Sequence, residues 1–246
     1  MTTWRSAIVV GASSGIGAAV ARRLAAGGTR VALVARRGDE LRRVAAELPP
    51  ERATVRVHDV RDAADVPALW DDVEAELGPV DMLVYAAGLL TPVAPHEYTF
   101  EKDREMLVVN LLGAVAWCDQ AAVRMEAARR GCIVGISSVA GDRGRRGAPV
   151  YGASKAGLTT FLESLRNRLS RAGVNVVTIR PGYVDTAMTH GVDGLFWLVS
   201  ADRAAEIVLR HARAGRSRDR HVPARWGLVS LVLRTIPSRL FRRLSI

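Results

Sequence analysis

Tyr151 and Lys155 stand four residues apart in the stretch Val150-Tyr151-Gly152-Ala153-Ser154-Lys155. On a helix this spacing places both side chains on one face. A phenol with an ordinary pKa of about 10 is a poor acid at neutral pH, but a neighbouring ammonium favours the phenolate and lowers that pKa. The pair is therefore suited to exchanging a proton with a substrate oxygen. The same spacing also occurs by chance on many amphipathic surface helices, so the rest of the chain has to decide.

Short β-branched runs alternate with longer helical patterns along the chain. The predicted strands are about Ser6–Val10, Arg30–Ala35, Thr54–His58, Met82–Tyr85, Cys132–Ile136 and Asn175–Ile179, with a short last strand near Arg220–Val222. Asp62 is a candidate cap for a helix that runs to Leu77, and the Tyr151 helix runs to about Ala172. This alternation predicts an α/β fold, a Rossmann-type doubly wound parallel sheet of about seven strands with helices on both faces. Residues 1–246 form one domain in this interpretation.

The first predicted strand leads directly into the glycine-rich turn Gly11-Ala12-Ser13-Ser14-Gly15-Ile16-Gly17. At this position a dinucleotide-binding fold holds its pyrophosphate, because glycines admit the phosphates and a helix N-terminus favours negative charge. The second strand ends in Arg36-Arg37, where an acidic residue would indicate NAD. Arginine at this point favours the additional phosphate of NADP(H). The alternative is that Arg36 and Arg37 are ordinary solvated residues and that the cofactor is NAD(H).

Composition sets limits on the class of protein. The 246 residues carry a net charge of +10, and residues 201–246 hold eleven arginines against three acidic residues. The two cysteines, Cys118 and Cys132, have no metal-like or disulfide-like spacing, which fits a reducing cytoplasm and predicts no metal. No signal peptide and no apolar run long enough to cross a bilayer is expected. Lysine occurs only at Lys102 and Lys155, against 33 arginines.

The chain resembles a single-domain short-chain dehydrogenase/reductase over nearly its whole length. The matching pieces are Gly11, Gly15 and Gly17, Asp59-Val60, Ala87-Gly88, Asn110, Ile136-Ser137-Ser138, Tyr151 with Lys155, and Arg180-Pro181-Gly182 followed by Thr186. Their order and joint spacing carry the resemblance. The chain departs from the family at Tyr85-Ala86, where two asparagines are common.

The resemblance implies a role for each matching position. Four residues would be catalytic: Asn110, Ser138, Tyr151 and Lys155. Tyr151 would donate the proton, Ser138 would bond the substrate carbonyl, and Lys155 would bond the nicotinamide ribose and lower the tyrosine pKa. Asn110 would sit at a helix irregularity and hold a water that leads to Lys155. The cofactor would contact Gly11, Ser13, Ser14, Gly15, Ile16, Gly17, Arg36, Arg37, Asp59, Val60, Ala87, Gly88, Tyr151, Lys155, Pro181, Gly182, Val184 and Thr186.

Two segments near these motifs bear on the substrate. Residues 191–199 are apolar and are predicted to form a lid over the substrate, with a packed surface helix as the alternative. The segment Gly141–Gly147 carries Arg143, Arg145 and Arg146 beside Ser138. These arginines suit recognition of a phosphate. A solvated loop or a subunit contact is the other interpretation.

The C-terminal tail, about 225–246, interleaves arginines with apolar residues, and Pro237 divides it into two short helices. Such a segment suits an anionic membrane surface. An oligomer interface or a flap over the protein's own pocket is the alternative. Nothing resembles a base-reading module, so no nucleic-acid partner is expected.

The loop Gly141–Gly147, the ending Ile236–Leu244 and Gly88-Leu89-Leu90 are also locally similar to the reductase branch that acts on decaprenylphosphoryl-2-keto-erythro-pentose. That likeness implies a lipid-linked keto-sugar, or another apolar ketone, as substrate.

These observations together predict an NADPH-dependent reductase that converts a ketone to a secondary alcohol, reversibly, with Tyr151 as proton donor. The resemblance implies a homodimer or homotetramer. The expected location is the cytoplasm, with the inner membrane face as a peripheral site if the tail binds lipid. A non-catalytic NADP-binding scaffold, or a membrane-surface or interaction protein, is the alternative function.

Overall fold

A seven-stranded parallel sheet forms the centre of the computed structural model, which describes residues 4–94, 96–192 and 194–244. The strands are β1 (Ser6–Val10), β2 (Arg30–Ala35), β3 (Ala53–Val57), β4 (Met82–Tyr85), β5 (Gly131–Ile136), β6 (Val174–Pro181), β7 (Val184–Asp185), β8 (Val199–Ser200) and β9 (Arg218–Val222). The central order is β3-β2-β1-β4-β5-β6-β9, while β7 and β8 pair separately. The strand order reverses between β1 and β4, and ligands bind at such a switch point.

Nine α-helices connect or follow these strands in the described ranges. They are α1 (Gly15–Ala26), α2 (Gly38–Ala46), α3 (Val66–Leu77), α4 (Phe100–Leu107), α5 (Gly113–Ala128), α6 (Pro149–Arg168), α7 (Ala201–Ala212), α8 (Trp226–Thr235) and α9 (Ser238–Phe241). A π-helical turn, Val108–Leu112, joins α4 to α5. The predicted doubly wound α/β fold is confirmed.

The strand side chains alternate between two apolar layers because successive residues point to opposite faces. Ala7 and Val9 of β1 belong to the layer that α1 and α7 cover. Ile8 and Val10 belong to the opposite layer, with α3, α5 and α6. Both faces of the sheet are therefore covered, as a parallel sheet requires. The buried strands bring their carboxyl ends to one edge of the sheet, and residues at this edge form the candidate active site.

Two predicted helix boundaries are wrong. The Asp62 side chain caps no helix, because a short turn (Ala63–Asp65) intervenes and α3 begins at Val66. Pro67 follows directly, in the first helical turn, where a missing N–H costs nothing. Helix α6 ends at Arg168 instead of about Ala172. The chain then turns through Gly173, whose φ of +72° favours glycine.

The expectation that no apolar run is long enough to cross a bilayer is also wrong on length and composition. The continuous helical stretch Phe100–Ala128 has 29 residues and a mean hydropathy of 1.6 in its most apolar window. Trp117, Cys118 and Met125 of this stretch are buried against the sheet. It serves as a core helix in the described structure.

Candidate active site

Ser138, Tyr151 and Lys155 converge at the carboxyl end of β5. Ser138 lies two residues beyond that strand, and Tyr151 lies in the first turn of α6. The intervening loop crosses close to α6 at Gly141, where an added Cβ would approach the Ala156 nitrogen to 2.7 Å. A larger residue at that position would push the loop, and with it Ser138, away from the helix.

Ser137 fastens α6 to the end of β5. Its hydroxyl donates to the Lys155 carbonyl at 2.9 Å and shares a 2.7 Å contact with the Thr159 hydroxyl. The sequence motif contains Ser137, but no role was predicted for it. Its position immediately before Ser138 is the sequence signal that indicates a structural role at this site.

Lys155 is 3% exposed and donates to the Ile136 carbonyl at 3.0 Å. Its ammonium lies 5.9 Å from the centroid of the Tyr151 ring. Burial lowers the pKa of Lys155 to about 8, because desolvation disfavours the charged form. The residue therefore remains mainly protonated at neutral pH.

The expected depression of the Tyr151 pKa does not arise from the protein side chains alone. Burial raises the pKa of Tyr151, and a hydrogen bond from Ser138 partly opposes the rise. The Lys155 ammonium lies beside the ring and does not reverse this rise. In this structure the phenol is thus protonated at neutral pH, as a proton donor must be.

Asn110 lies within the π-helical turn, where the resemblance places a helix irregularity, and it is fully buried. Its amide donates to the Leu89 carbonyl at 2.9 Å and to the Ser154 hydroxyl at 3.0 Å, and its carbonyl accepts from the Leu89 N–H at 2.7 Å. Asn110 does not line the cleft described below. It ties the loop after β4 to α6, so it acts as a positioning residue.

Tyr85 replaces the family asparagine with a different brace. Its buried hydroxyl donates to the Val109 carbonyl at 2.6 Å. A π-helical turn shifts the usual backbone pairing, and this hydroxyl supplies a partner for one of its carbonyls. Gly113 leaves the space, since an added Cβ would lie 2.7 Å from the Tyr85 oxygen.

A cleft of about 370 Å³ runs along the carboxyl ends of the central strands. The predicted residues that line it are Gly11, Ser13, Ser14, Gly15, Ile16, Arg36, Arg37, Asp59, Val60, Ala87, Gly88, Ser138, Tyr151, Lys155, Pro181, Gly182, Val184 and Thr186. The fold thus brings almost the whole predicted set together.

Gly17 is the exception among the predicted cofactor contacts, because it does not line the cleft. An added Cβ there would lie 2.3 Å from the Gly11 carbonyl. Its role is to let α1 pack tightly under the turn. Gly11 has a φ of +87°, and an added Cβ would meet the Ala87 nitrogen at 2.5 Å, so this position requires glycine twice over.

Arg37 reaches over the glycine-rich turn and donates to the hydroxyls of Ser13 and Ser14, each at 2.8 Å. Ser14 precedes α1 but does not cap it with its side chain, and the first turn of α1 contains no acidic residue. The helix N-terminus therefore remains suited to an anion. These features fit a dinucleotide with its pyrophosphate over the turn.

Asp59 accepts from the Arg61 N–H at 3.0 Å and from the Arg61 guanidinium at 2.6 Å. These hydrogen bonds, led by the one to the side chain, lower the pKa of Asp59. The carboxylate predicted to bond adenine is thus already paired with a neighbour in the chain. It keeps acceptor capacity, because an ionised carboxylate offers about four lone-pair sites.

His58 lines the same cleft, although no motif in the sequence singles it out. Its ring meets Trp117 edge-on at 5.7 Å between centroids. Its Nε2 is buried without a hydrogen-bond partner among the described residues, and burial lowers its pKa. Its place at the end of β3, directly before Asp59, is the signal that could have identified it.

A second cavity of about 240 Å³ adjoins the cleft. The two share Ser138, Tyr151, Gly182, Met188 and Thr189. The remaining wall is mainly apolar, and Val192 and Leu195 of the predicted lid contribute to it. The described part of 191–198 contains no helix, so the surface-helix alternative is wrong there. Asp193 lies outside the described residues.

The tail forms the two predicted helices, α8 and α9, with Pro237 between them. Its buried Trp226 packs against three aromatic residues beside the second cavity, with centroids 5.1–5.6 Å apart: Tyr183, Phe196 and Trp197. Gly182 admits the indole, because an added Cβ would lie 2.0 Å from its Nε1. One face of α8 therefore supports the site. Residues 245–246 of the predicted tail lie outside the described residues.

Comparison with known proteins places this arrangement in a family. The sequence profile of the short chain dehydrogenases matches residues 5–194. A cis-4-hydroxycyclohexanecarboxylate dehydrogenase of Sinomonas cyclohexanicum is 39% identical over 192 residues, 76% of each chain. An uncharacterised oxidoreductase of Mycobacterium tuberculosis is 35% identical over 243 residues, 96% of each chain, so this similarity extends into the tail. A single-substitution variant of the actinorhodin polyketide ketoreductase, solved with NADPH, superimposes with a TM-score of 0.78 at 30% identity, covering 87% of this chain and 95% of that one.

The chain belongs to the short-chain dehydrogenase/reductase family. It is therefore an oxidoreductase that acts on CH–OH or C=O groups with a nicotinamide dinucleotide.

Proposed function

We propose that the protein is an NADPH-dependent reductase that converts an apolar ketone to a secondary alcohol. The observation that carries the proposal is that Ser138 and Tyr151 line both cavities, with Lys155 buried beside Tyr151. One cavity suits the cofactor and the other suits the substrate. A carbonyl bound where the two cavities meet would lie beside both residues.

The chain's own residues have separate tasks in this proposal. The cofactor supplies the hydride when bound. Tyr151 donates a proton to the carbonyl oxygen, and Ser138 stabilises the negative charge that develops there. Lys155 keeps a positive charge near the phenol, and Asn110 holds the loop and helix that carry these groups. A panel of small ketones, steroids, acyl ketones and polyprenyl keto-sugars, followed by NADPH consumption, tests the assignment.

Cofactor choice rests on the arginines at the end of β2. We propose that Arg36 and Arg37 hold the additional phosphate of NADPH. Both are exposed at the rim of the cleft, and Arg37 is already oriented by two serine hydroxyls. Asp39, the nearest acidic residue in sequence, pairs with Arg42 on the outside of α2. NADH should bind without this contribution.

Arg37→Ala is expected to raise the KM for NADPH about ten-fold or more, because a hydrogen bond to a charged group contributes about 1.5–3 kcal/mol. Arg36→Ala should act in the same direction. The KM for NADH should change little in either variant. Arg43→Ala, a surface arginine paired with Glu40 on α2, is the matched control. Equal effects on both cofactors would show that the two arginines are bystanders.

For the substrate, we propose a ketone with a substantial apolar body, of which a lipid-linked keto-sugar is one candidate. The mainly apolar wall of the second cavity supports an apolar body. Two relatives of the chain are named for a hydroxycyclohexanecarboxylate and a polyketide. A small alicyclic or aromatic ketone is therefore the starting probe.

We also propose that the tail contacts an anionic membrane surface from the cytoplasmic side. The tail exposes five large apolar side chains: Leu228, Leu231 and Val232 on α8, Leu240 on α9 and Leu244 after α9. Five exposed arginines alternate with them along the chain: Arg225, Arg234, Arg239, Arg242 and Arg243. A second copy of the same face would place like charges together, whereas anionic lipid would attract them.

Leu231→Ser with Leu240→Ser is expected to reduce binding to vesicles of phosphatidylglycerol about ten-fold or more, since each buried leucine contributes about 1.5–3 kcal/mol. Binding of the wild type should weaken at high salt. These positions are preferable to deleting the tail, because deletion would also remove Trp226 from the site. Val57→Ser, an exposed apolar position on the edge strand β3, is the control. A wild-type protein that stays in solution with the vesicles would refute this part of the proposal.

Finally, we propose a homodimer or homotetramer in which the long helices α4 and α5 form the contact. Exposed Leu112 and Val123 on this side support it. Light scattering of the wild type and of Leu112→Glu would test it.

A further inference from the structure

The three arginines between β5 and α6 have different surroundings. Arg143 faces the tail, Arg146 is exposed, and Arg145 lines the second cavity. The sequence could not separate them, because they lie within four residues of one another. Only Arg145 is placed to meet a molecule in that cavity.

Two residues, Arg143 and Asp142, anchor the loop that carries Arg145. Arg143 donates to the carbonyls of Leu233 and Ile236 at the end of α8, and its guanidinium lies 4.0 Å from the Phe241 ring centroid. Asp142 accepts from Arg180 at 2.5 Å and from His221 at 2.9 Å. Both anchors lie just before Arg145, one to the tail and one to β6 and β9, so Arg145 follows a fixed part of the loop.

Arg145 is half-buried and its surroundings leave its hydrogen-bonding capacity largely unused. Its Nε is buried without a partner among residues 4–94, 96–192 and 194–244. Its Nη2 makes one long contact of 3.4 Å with the Val139 carbonyl, next to Ser138. No ion pair to Arg145 occurs in the described ranges. One of the five N–H donors of the guanidinium is therefore buried without an acceptor, which is costly, and the Nη groups keep donors for a ligand.

We propose that Arg145 binds an oxyanion, a carboxylate or a phosphate, carried by the apolar ketone that occupies the second cavity. Arg145 is the cationic residue in the described wall of that cavity, and its planar fork suits a two-oxygen anion. The substrate class is thus a keto acid or a keto phosphate with an apolar body. The inference rests on the proposed reductase function for the identity of the ketone, but not for the anion site.

The kinetic test compares aromatic keto acids of increasing spacing with their methyl esters: benzoylformate, benzoylpropionate and benzoylbutyrate. The wild type should reduce at least one acid with a kcat/KM about ten-fold or more above that of its ester, from the strength of a charged hydrogen bond. Arg145→Ala should bring this ratio to about one by lowering only the rate with the acid. Arg146→Ala, an exposed neighbour, should leave the ratio unchanged. An equal preference in the wild type and Arg145→Ala would overturn the proposal while the reductase function stands.

A binding test separates the anion site from turnover. Calorimetry of the wild type with cyclohexanecarboxylate should give heat that the neutral cyclohexylmethanol does not, and Arg145→Ala should lose it. Cyclohexyl phosphate in the same titration distinguishes the two anions. If no ketone is reduced but this binding persists, the anion site stands and the reductase function fails. If the wild type binds neither anion, the anion site is refuted.

Asp193 provides one further control, because it lies beside Val192 in the chain. Asp193→Asn should leave the ratio of acid to ester unchanged. A several-fold rise in that ratio would show that the native guanidinium is held by this carboxylate, and that result would overturn the proposal for the native chain.

Discussion

Tyr151→Phe is expected to lower kcat/KM for ketone reduction about 10²–10⁴-fold, the range that a positioned general acid contributes. The phenylalanine keeps the ring and removes only the hydroxyl that meets Ser138. Binding of NADPH, followed by the fluorescence of the cofactor, should change little. Steady-state kinetics measure the loss of turnover, and a fluorescence titration measures the binding of NADPH.

Tyr98→Phe is the matched control for this substitution, because Tyr98 is 91% exposed and lies outside both cavities. It should retain wild-type turnover. If Tyr151→Phe kept more than about a tenth of the activity, the proton would come from another group. If it lost nothing and the wild type also turned over no ketone, the scaffold alternative would replace the enzyme.

Lys155→Met is expected to abolish reduction and at the same time to stabilise the cofactor-free protein. Burial lowers the pKa of Lys155 from 10.5 to about 8, and each pKa unit corresponds to about 1.4 kcal/mol, so the buried charge costs about 3 kcal/mol. Loss of the hydrogen bond to the Ile136 carbonyl offsets about 1 kcal/mol of the gain. The net effect is about 2 kcal/mol, or a rise in Tm of about 4–8 °C for a chain of this length.

The gain in stability of Lys155→Met over the wild type should decrease as the pH rises. Because the folded-state pKa of Lys155 is lowered, the folded protein binds fewer protons than the unfolded chain between about pH 8 and pH 10.5. The wild type therefore gains stability as pH rises through this window. The advantage of Lys155→Met should be full below pH 8, should vanish before pH 10.5, and should reverse slightly there, because the lost hydrogen bond remains when the cost of the charge is gone. Urea titrations at several pH values measure this dependence.

Lys102→Met is the control, because Lys102 is the other lysine in the sequence and its ammonium pairs with Glu97 at 2.5 Å on the surface. Its free energy of unfolding should fall by at most about 1 kcal/mol, because a surface ion pair contributes no more than this. A Lys155→Met variant less stable than the wild type at pH 7 would show that the charge is compensated in the folded protein.

The fold class and most of the cofactor cleft could be predicted from the order of the residues. Parallel strands that alternate with helices must bury both faces, and this requirement brings the strand ends together, so Gly11, Asp59, Gly88, Ser138 and Gly182 converge. The spacing of Tyr151 and Lys155 depends only on the helical repeat. The helical spacing is local and the meeting of the strand ends follows from the topology, so both can be predicted from the sequence.

The features that depend on distance and burial could be assigned only in the folded protein. The fold placed Gly17 and Asn110 outside the lining of the cleft, with Gly17 packed against the Gly11 carbonyl and Asn110 bonded to the Leu89 backbone and to Ser154. It placed His58 at the cleft, and it divided three similar arginines among the tail, solvent and the second cavity. It also raised the pKa of Tyr151, since burial outweighs the Ser138 hydrogen bond. Desolvation and side-chain direction depend on residues far apart in the chain, so neighbouring sequence alone cannot assign them.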